Sequence, residues 1–513
     1  MKSILNKIFL QSISLVFLTN GFILAQPIQL IPQTKGLPQT SPSFVTPEVT
    51  KSFWESTPSS LIETYFPKLP LKLTSPILQT LRAKILTEKY SPLLQNQTYA
   101  QTVFSFLMQS GQFSEAQEFL LETNIIEKDH LSLDLQWLQG ESKKACEKVT
   151  SLLRTSPQAE LKKQNVYCLY LSGETERAKI AAELLSESSS ETSLLLDALF
   201  DSSIHPSFED PITQSPFLLA VWCTLGKEIA EENLNKLNAA YLTVIARSEK
   251  MPHKTRLLAA EKAFQQGLKG DYISDLLKDT TGEELLDKLS QAFKSPKTDL
   301  LLSLFERAQK EGKLTIVGEI FKSSLSKIDP SAETLPLAPS IIRALLPTNQ
   351  KDVVQKWATF LLRESPEEGI ALLPHLHLAF PEIKWDDSRL KAWQAYQSRI
   401  DARKASENSY ALRHILEILG EPQGPALKGE PSTPSWRQER TLFDGTTLDL
   451  LDSAANSKRK GEVLLLVLTL FGETPLKEFS INKFIRLLGI LQKSGYDAEA
   501  RSLAVEFLLA KGI

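Results

Sequence analysis

Three cysteines, Cys146, Cys168 and Cys223, are the residues of this chain whose spacing most directly predicts chemistry. A turn is expected near Ser156, and Cys146 lies ten residues before that residue while Cys168 lies twelve after it. Such positions face each other in an antiparallel helical hairpin. The spacing therefore predicts a Cys146–Cys168 disulfide, with two buried free thiols as the alternative. Cys223, in LAVWCTLG, is interpreted as a buried packing residue.

The histidines and carboxylates give weaker indications of chemistry than the cysteines do. Among the six histidines, His375 and His377 in LLPHLHLAF form the one closely spaced pair. Zinc needs further His, Cys or carboxylate ligands, and the chain has no HExxH or paired CxxC motif. We therefore predict two histidines at a helix edge and no metal site. Asp386 and Asp387 are adjacent, so their side chains diverge, and they are predicted to start a helix rather than to act as an acid–base pair.

Catalytic and cofactor motifs are absent from the sequence. It contains no GxSxG nucleophile motif, no GxxxxGK[ST] phosphate loop and no GxGxxG following a strand. No catalytic residue, cofactor or metal ligand is assigned, and the sequence favours a protein that is not an enzyme.

The N-terminus reads as an export signal. Lys2 and Lys7 precede an apolar stretch from Ile8 to Leu18, and Ala25 is a small residue suited to a cleavage site. This pattern predicts a cleaved signal peptide over 1–25, with an uncleaved membrane anchor as the alternative. A cleaved signal implies a periplasmic or secreted protein. The next segment, 26–50, holds five prolines and is predicted to be a disordered leader, with a partner-binding segment as the alternative.

Composition limits the partners. The 513 residues are 42% hydrophobic and 23% charged, as in folded soluble proteins, and the formal net charge of −3 argues against broad nucleic-acid or anionic-membrane binding. The longest later apolar run, Val463 to Phe471, is too short to span a membrane.

A recurring unit predicts the fold. A glycine is followed five residues later by an alanine that opens an apolar helical stripe, which is typical of a helix end, a tight turn and a closely packed second helix. In the first copy, Ser114 and Gln117 also form a candidate capping box. The first three glycines are 29 and 33 residues apart, near the tetratricopeptide period. We predict an all-α protein, an α-solenoid of degenerate tetratricopeptide-like hairpins, with the pairs Gly111 and Ala116, Gly140 and Ala145, Gly173 and Ala178, and Gly495 and Ala500 at its turns.

The predicted organisation has six parts. After the signal and leader come N-terminal repeats over 51–200, a central helical region over 201–420 in which the repeat fades, a Pro- and Gly-rich loop over 421–439, and C-terminal hairpins over 440–513. Trp436 in the loop is either part of a passive insertion or an exposed anchor. Predicted central helices include Phe217 to Ala230, Leu234 to Ala246 and Leu390 to Leu419.

Aromatic and aliphatic residues crowd the start of the folded part, in FWESTPSSLIETYFPKLP. They are predicted to cap the solenoid, with a partner surface as the alternative. This segment through LTSPILQTLRAKIL, then QSGQFSEAQEFLL, the cysteine hairpin and the ending GILQKSGYDAEARSLAVEFLLAKGI resemble uncharacterised exported tetratricopeptide-like helical-repeat proteins of Gram-negative bacteria. The resemblance covers the first third and the last 30 residues, and implies an extracytoplasmic helical-repeat protein without assigning an activity.

Three functional hypotheses follow. The leading one is an extracytoplasmic scaffold or adaptor that binds proteins or peptides, without nucleic acid and without a membrane span after signal cleavage. The second is a cell-envelope enzyme, or an enzyme subunit, whose helical superhelix holds peptidoglycan. The third is a secreted effector, which export alone supports. The oligomeric state is left open.

Overall fold

The computed structural model describes residues 53–513 apart from 55, 87–96, 186–190, 209–211, 213–214, 268–272, 275, 278–283, 295–296, 349 and 423–444. Every regular element within these described residues is a helix, and most helices pack against the next one in the chain, so the predicted all-α, solenoid-like fold is confirmed. Short 3-10 helices span Phe66–Lys68 and Leu335–Leu337. The α-helices are α1 (Ser59–Tyr65), α2 (Pro76–Leu86), α3 (Gln97–Gln109), α4 (Phe113–Glu122), α5 (Lys128–Gln139), α6 (Ser142–Thr155), α7 (Ala159–Leu171), α8 (Thr175–Leu185), α9 (Glu191–Asp197), α10 (Pro216–Leu225), α11 (Glu231–Leu234), α12 (Ala239–Arg247), α13 (His253–Phe264), α14 (Leu285–Lys294), α15 (Thr298–Lys310), α16 (Leu314–Leu325), α17 (Ala338–Leu345), α18 (Lys351–Glu364), α19 (Pro366–Ala379), α20 (Asp387–Ile400), α21 (Ala402–Ile418), α22 (Gly445–Asn456), α23 (Lys460–Phe471), α24 (Ile481–Lys493) and α25 (Asp497–Lys511).

The four repeat turns share one geometry. Each glycine adopts a left-handed backbone conformation, with φ between 74° and 82°, that a side chain would disfavour. In the first turn, the amide of Gln112 donates to the carbonyl of Leu107 at 3.0 Å, which closes the end of α3. The alanine that follows each glycine has no solvent exposure, so the second helix of each hairpin packs closely. These residues are Gly111, Gly140, Gly173 and Gly495, and Ala116, Ala145, Ala178 and Ala500.

The same turn recurs where the sequence pattern fades. Gly312 has φ 68° between α15 and α16, and the residue five positions later, Val317, is fully buried. Between α22 and α23 the left-handed residue is Lys458, with φ 55°, and Val463 is fully buried. The sequence pattern does not reveal these copies, because valine replaces the alanine in both of them and lysine replaces the glycine in the second.

Several predicted helix boundaries are wrong. The stretch from Leu390 to Leu419 forms two helices, because Asp401 takes an extended conformation and its carboxylate accepts hydrogen bonds from the amides that open α21. The predicted helix from Phe217 ends at Leu225, before Gly226 in a left-handed turn. The predicted capping box at Ser114 is also wrong, since α4 already begins at Phe113 and no side chain caps it.

The stretch from Leu234 to Ala246 is another wrong boundary. Its first residue ends the short helix α11, and α12 starts only at Ala239. The reason is Asn238, whose side-chain oxygen accepts a hydrogen bond from the amide of Tyr241 at 3.0 Å and so starts a new helix.

Helices α5, α7 and α10 meet at an aromatic cluster. The rings of Trp137, Tyr167 and Phe217 lie 5.6 to 5.9 Å apart, within the range for favourable ring pairs. The indole of Trp137 donates to the amide oxygen of Gln164 at 3.0 Å, and the hydroxyl of Tyr167 bonds Thr224 Oγ1 at 2.6 Å. These contacts bring α10 back onto the N-terminal repeats.

The first described helices pack on the last ones. Helix α1 lies against α23, and α2 lies against α23 and α25. Trp54, Ile62 and Phe66 from the aromatic stripe are buried. The stripe therefore covers the C-terminal hairpins as well as its own end of the chain. We call this contact between 53–86 and 445–513 the closure.

Two buried charged residues lie at the closure: Glu506 bonds across it, whereas Arg82 bonds its own N-terminal segment and the central region. The guanidinium of Arg82 donates to the carbonyls of Pro70 at 3.0 Å, Leu71 at 2.6 Å and Gln266 at 2.9 Å. Glu506, on α25, accepts hydrogen bonds from the Ser75 hydroxyl and, at 3.2 Å, from the amide of Ile77. Lys84 and Glu499 add an ion pair at the surface of the same contact.

Several predictions lie outside the described residues. They are the signal peptide over 1–25 with its cleavage at Ala25, the leader over 26–50, and Trp436 in the Pro- and Gly-rich loop. Among the helices that are described, none combines the length and the apolar character needed to cross a bilayer.

Candidate functional site

A cavity of about 550 Å³ opens between the N-terminal repeats and the first central helices. One wall is the face of α3, the opposite wall is α5 with the turn before it, and the third side is Pro216 together with the start of α12. This volume lies within the range of about 300–1,000 Å³ that is typical of small-ligand sites.

Repeat geometry brings α12 to this place. Gly111 ends α3 in a left-handed turn, and a side chain there would lie 3.6 Å from the backbone of Ala239 and from Thr243. The cap at Asn238 then fixes the first turn of α12, which places Ala240 and Tyr241 in the cavity wall. A repeat turn and a helix cap thus form one corner of the cavity together.

Asp134 is the first notable polar group in the wall. It lies on α5, one helical turn from Leu131 and Leu138, which line the same cavity. No hydrogen bond or ion pair from the described residues reaches its carboxylate. Burial raises the pKa of Asp134 to about 6; the nearby His130 lowers this pKa and Glu160 raises it further. The fold thus keeps a carboxyl group that no described residue bonds in a wall of mixed polar and apolar surface.

Tyr241 is the second notable polar group in the cavity wall. Its side chain is 6% exposed, and no described residue hydrogen-bonds its hydroxyl group. Burial raises the pKa of Tyr241, and the charge of Asp134, which lines the same cavity, raises it further. Because the hydroxyl oxygen still reaches solvent and no described residue bonds it, it is a group available to a ligand.

Glu127 stands at the rim, immediately before α5. Its backbone is left-handed, with φ 63° and ψ 23°. This conformation is unfavourable by about 1 kcal/mol for residues other than glycine. The carbonyl of Glu127 accepts from the amides of His130 at 2.9 Å and Leu131 at 3.1 Å, which holds this conformation. A second carboxylate is thereby kept at the cavity entrance.

The remaining lining combines amide and apolar groups. Amide and hydroxyl groups come from Gln101, Ser105, Gln109 and Asn238, and apolar surface comes from Phe104, Met108, Ile126, Leu131, Leu138, Pro216 and Ala240. Ile126 is 61% exposed, which is unusual for an isoleucine beside a cavity. The cavity can bind through hydrogen bonds and apolar contact together.

The residues predicted from sequence lie elsewhere. Cys146 and Cys168 form a disulfide between α6 and α7, with Cα atoms 5.4 Å apart. Cys223 is a buried free thiol, and burial raises its pKa to about 12. None of the repeat glycines and alanines lines the cavity; Gly111 packs against the start of α12, and Gly140 ends α5.

The two closely spaced histidines lie in the interior rather than at an exposed helix edge, with His377 in the last turn of α19. Both are buried within α19. Burial lowers the pKa of His375 to about 3. The ring nitrogens of His377 lie 2.8 Å from the carbonyl oxygen of Ile383 and 3.1 Å from a carboxylate oxygen of Glu421. Across the described residues, no three His, Cys, Asp or Glu side chains cluster as metal ligands would. Asp386 does start a helix, by accepting from the amide of Arg389 at 2.9 Å.

Sequence reasoning missed Asp134 and Tyr241. One signal was present, because Asp134 occupies the apolar stripe of α5 at helical spacing from Leu131 and Leu138. An ionisable residue on an otherwise apolar face indicates either a buried partner or a ligand site. Comparison of the chain with protein-family models, with curated proteins and with solved structures yields no match to any of them.

Proposed function

We propose that this protein is an exported, non-enzymatic helical-repeat scaffold or adaptor, and that it binds a segment of a protein or peptide in the cavity between α3, α5 and α12. One observation carries the proposal: the cavity wall presents hydrogen-bonding groups that the fold leaves unused, next to apolar surface. A peptide supplies both the backbone groups and the side chains that such a wall can bind.

Export has separate support. The sequence begins with a pattern of basic, apolar and small residues that is typical of secretory signals. The disulfide in the Cys146–Cys168 hairpin is stable in an oxidising compartment such as the periplasm or the extracellular space. The proposed site of action is therefore outside the cytoplasm.

Peptide binding can be tested with the purified, oxidised protein on an array of random dodecapeptides. We expect a subset of the peptides to bind. Gln101→Trp, at an exposed position in the cavity wall, should weaken that binding at least tenfold by filling the entrance. The matched control is Glu115→Trp, at an exposed position on α4 that does not line the cavity. Absence of binding to any peptide, or equal binding by the two variants, would contradict the proposal.

A second candidate function, a cell-envelope enzyme, is favoured by one observation. Asp134, with its raised pKa, and Glu127 line the same cavity, and enzymes that cleave glycans use one protonated and one ionised carboxyl group. The test is incubation of the protein with purified peptidoglycan strands. Cleavage that is lost in both Asp134→Asn and Glu127→Gln would replace the adaptor proposal with this one.

A further inference from the structure

We infer that the cavity between α3, α5 and α12 binds a lysine side chain of a peptide, with the ammonium group at Asp134 and Tyr241 and with apolar neighbours on either side. This inference rests on the proposed function and names the chemistry of its ligand.

Charge is the first argument. Two of the described lining residues carry a charge at neutral pH, and both, Asp134 and Glu127, are acidic; no lysine, arginine or histidine is among them. The groups that act on Asp134 from around it are His130 on its own helix, Glu160 on α7 and Tyr241 on α12. None of them makes a hydrogen bond or an ion pair with the carboxylate within the described residues. A carboxylate in such a wall lacks a counter-charge, and a cationic ligand supplies one.

The buried tyrosine is the second, independent argument. Tyr241 lines the cavity, the residue is 6% exposed, and its hydroxyl has no hydrogen-bond partner among the described residues. An ammonium group has three hydrogen-bond donors and no acceptor, so it can donate to the Asp134 carboxylate and to the Tyr241 oxygen together. Tyr241 and Phe104 both line the cavity, and aromatic rings attract cations.

Apolar surface is the third argument, and it distinguishes a lysine side chain from a small cation. Met108, Leu131 and Leu138 line the cavity beside these polar groups. A lysine side chain buries its four-carbon stem against such surface while its ammonium group meets the polar end. The exposed Ile126 at the rim offers contact to the residue next to the lysine.

The test uses two matched probes and isothermal titration calorimetry of the whole protein at pH 7.5. The probes are the tripeptides acetyl-Leu-Lys-Leu-amide and acetyl-Leu-norleucine-Leu-amide, which differ only by the ammonium group. We expect the lysine tripeptide to bind at least tenfold more tightly. Asp134→Asn should reduce this ratio to less than twofold. Asp129→Asn is the matched control, because Asp129 lies on the same helix, is paired with Lys148 at 2.6 Å and does not line the cavity.

The outcomes separate this inference from the proposed function. Equal affinities for the two tripeptides, or a ratio that survives Asp134→Asn, would overturn the lysine inference. If the dodecapeptide array still shows binding that Gln101→Trp removes, peptide binding as such stands. A third titration with n-butylammonium is expected to show at least tenfold weaker binding than the lysine tripeptide. Equal binding would mean that the cavity takes a free amine, and this too would overturn the inference.

Discussion

The closure and the cavity both contain polar side chains that are buried or partly buried, and the two regions bond them differently. In the closure, the Glu506 carboxylate accepts from a hydroxyl and an amide of the N-terminal segment, and beside it the Arg82 guanidinium bonds three carbonyl groups. In the cavity, the Asp134 carboxylate and the Tyr241 hydroxyl receive no hydrogen bond from the described residues.

The difference shows which groups serve the fold. A buried polar group that is fully bonded stabilises the structure or costs little, whereas an unbonded one costs about 1–3 kcal/mol. The closure therefore holds the two ends of the described chain together. At the cavity, burial disfavours the charged form of Asp134, and a cationic ligand can offset that cost. Removing the hydrogen bonds of Arg82 should accordingly destabilise the fold, whereas removing the charge of Asp134 should leave the fold intact or more stable.

The largest expected effect is at Arg82, which lies on the N-terminal side of the closure. Arg82→Ala removes all of the hydrogen bonds that this side chain makes to Pro70, Leu71 and Gln266, and leaves three carbonyl oxygens near a new void. We expect the free energy of unfolding to fall by about 3–5 kcal/mol, measured by urea denaturation. The control is Arg177→Ala, at an exposed ion pair with Glu174, which should lower it by less than about 1 kcal/mol. Similar losses in the two variants would show that the buried hydrogen bonds of Arg82 stabilise the fold no more than an exposed ion pair does.

The disulfide hairpin offers a comparison that is local in sequence. Replacing both Cys146 and Cys168 by alanine removes a cross-link between residues 22 apart. Chain-entropy arguments then predict a loss of about 3 kcal/mol in the free energy of unfolding. Dithiothreitol should destabilise the wild-type protein by a similar amount and leave the double variant unchanged. A wild-type protein that is insensitive to dithiothreitol would contradict this.

The repeat hairpins and the closure differ in how far the sequence predicts them. The repeat turns and the disulfide depend on residues within one hairpin, so glycine-to-alanine spacing and cysteine positions were enough to predict them. Ser75 and Glu506 are 431 positions apart, and no local pattern in the sequence indicates that they meet. The break at Asp401 was missed for a related reason, because aspartate is both a tolerated helix residue and a good cap.

The cavity was beyond prediction because three separate segments build it. Asp134 sits in an apolar stripe, which is a local signal, but only the position of α12 makes its surroundings a cavity. That position depends on the aromatic contacts of α10 and on the cap at Asn238. Neither can be predicted from residue spacing alone.

Glu506 gives the closure a pH dependence. Burial raises the pKa of Glu506 to about 7, above its usual 4.5, so the folded protein holds a proton that the unfolded chain releases. Its contribution to stability is present below pH 4.5 and is lost as the pH rises through 7. We expect the wild-type protein to lose about 2–3 kcal/mol relative to Glu506→Gln between pH 4.5 and 8, in denaturation series at both pH values.

The control for this pH dependence lies on the same helix. The ion pair with Lys84 lowers the pKa of Glu499, although burial opposes the shift, so the contribution of Glu499 is present at neutral pH and is lost as the pH falls through its folded-state pKa. Glu499→Gln should therefore change the pH profile in the opposite sense. Identical profiles for the two variants would contradict the assignment of the buried proton to Glu506.

The most direct test of the contrast between the two regions is the stability of Asp134→Asn. Because burial raises the pKa of Asp134 from 3.8 to about 6, its contribution to stability is present below pH 3.8 and is lost as the pH rises through 6. We expect the variant to be more stable than the wild-type protein by about 1–2 kcal/mol at pH 8, after allowing for partial solvent exposure, with the difference vanishing near pH 4. Asp129→Asn, at a carboxylate whose pKa is lowered by its bond to Lys148, should show no such gain. A less stable Asp134→Asn at pH 8 would show that this carboxylate serves the fold, and would contradict its assignment to a ligand.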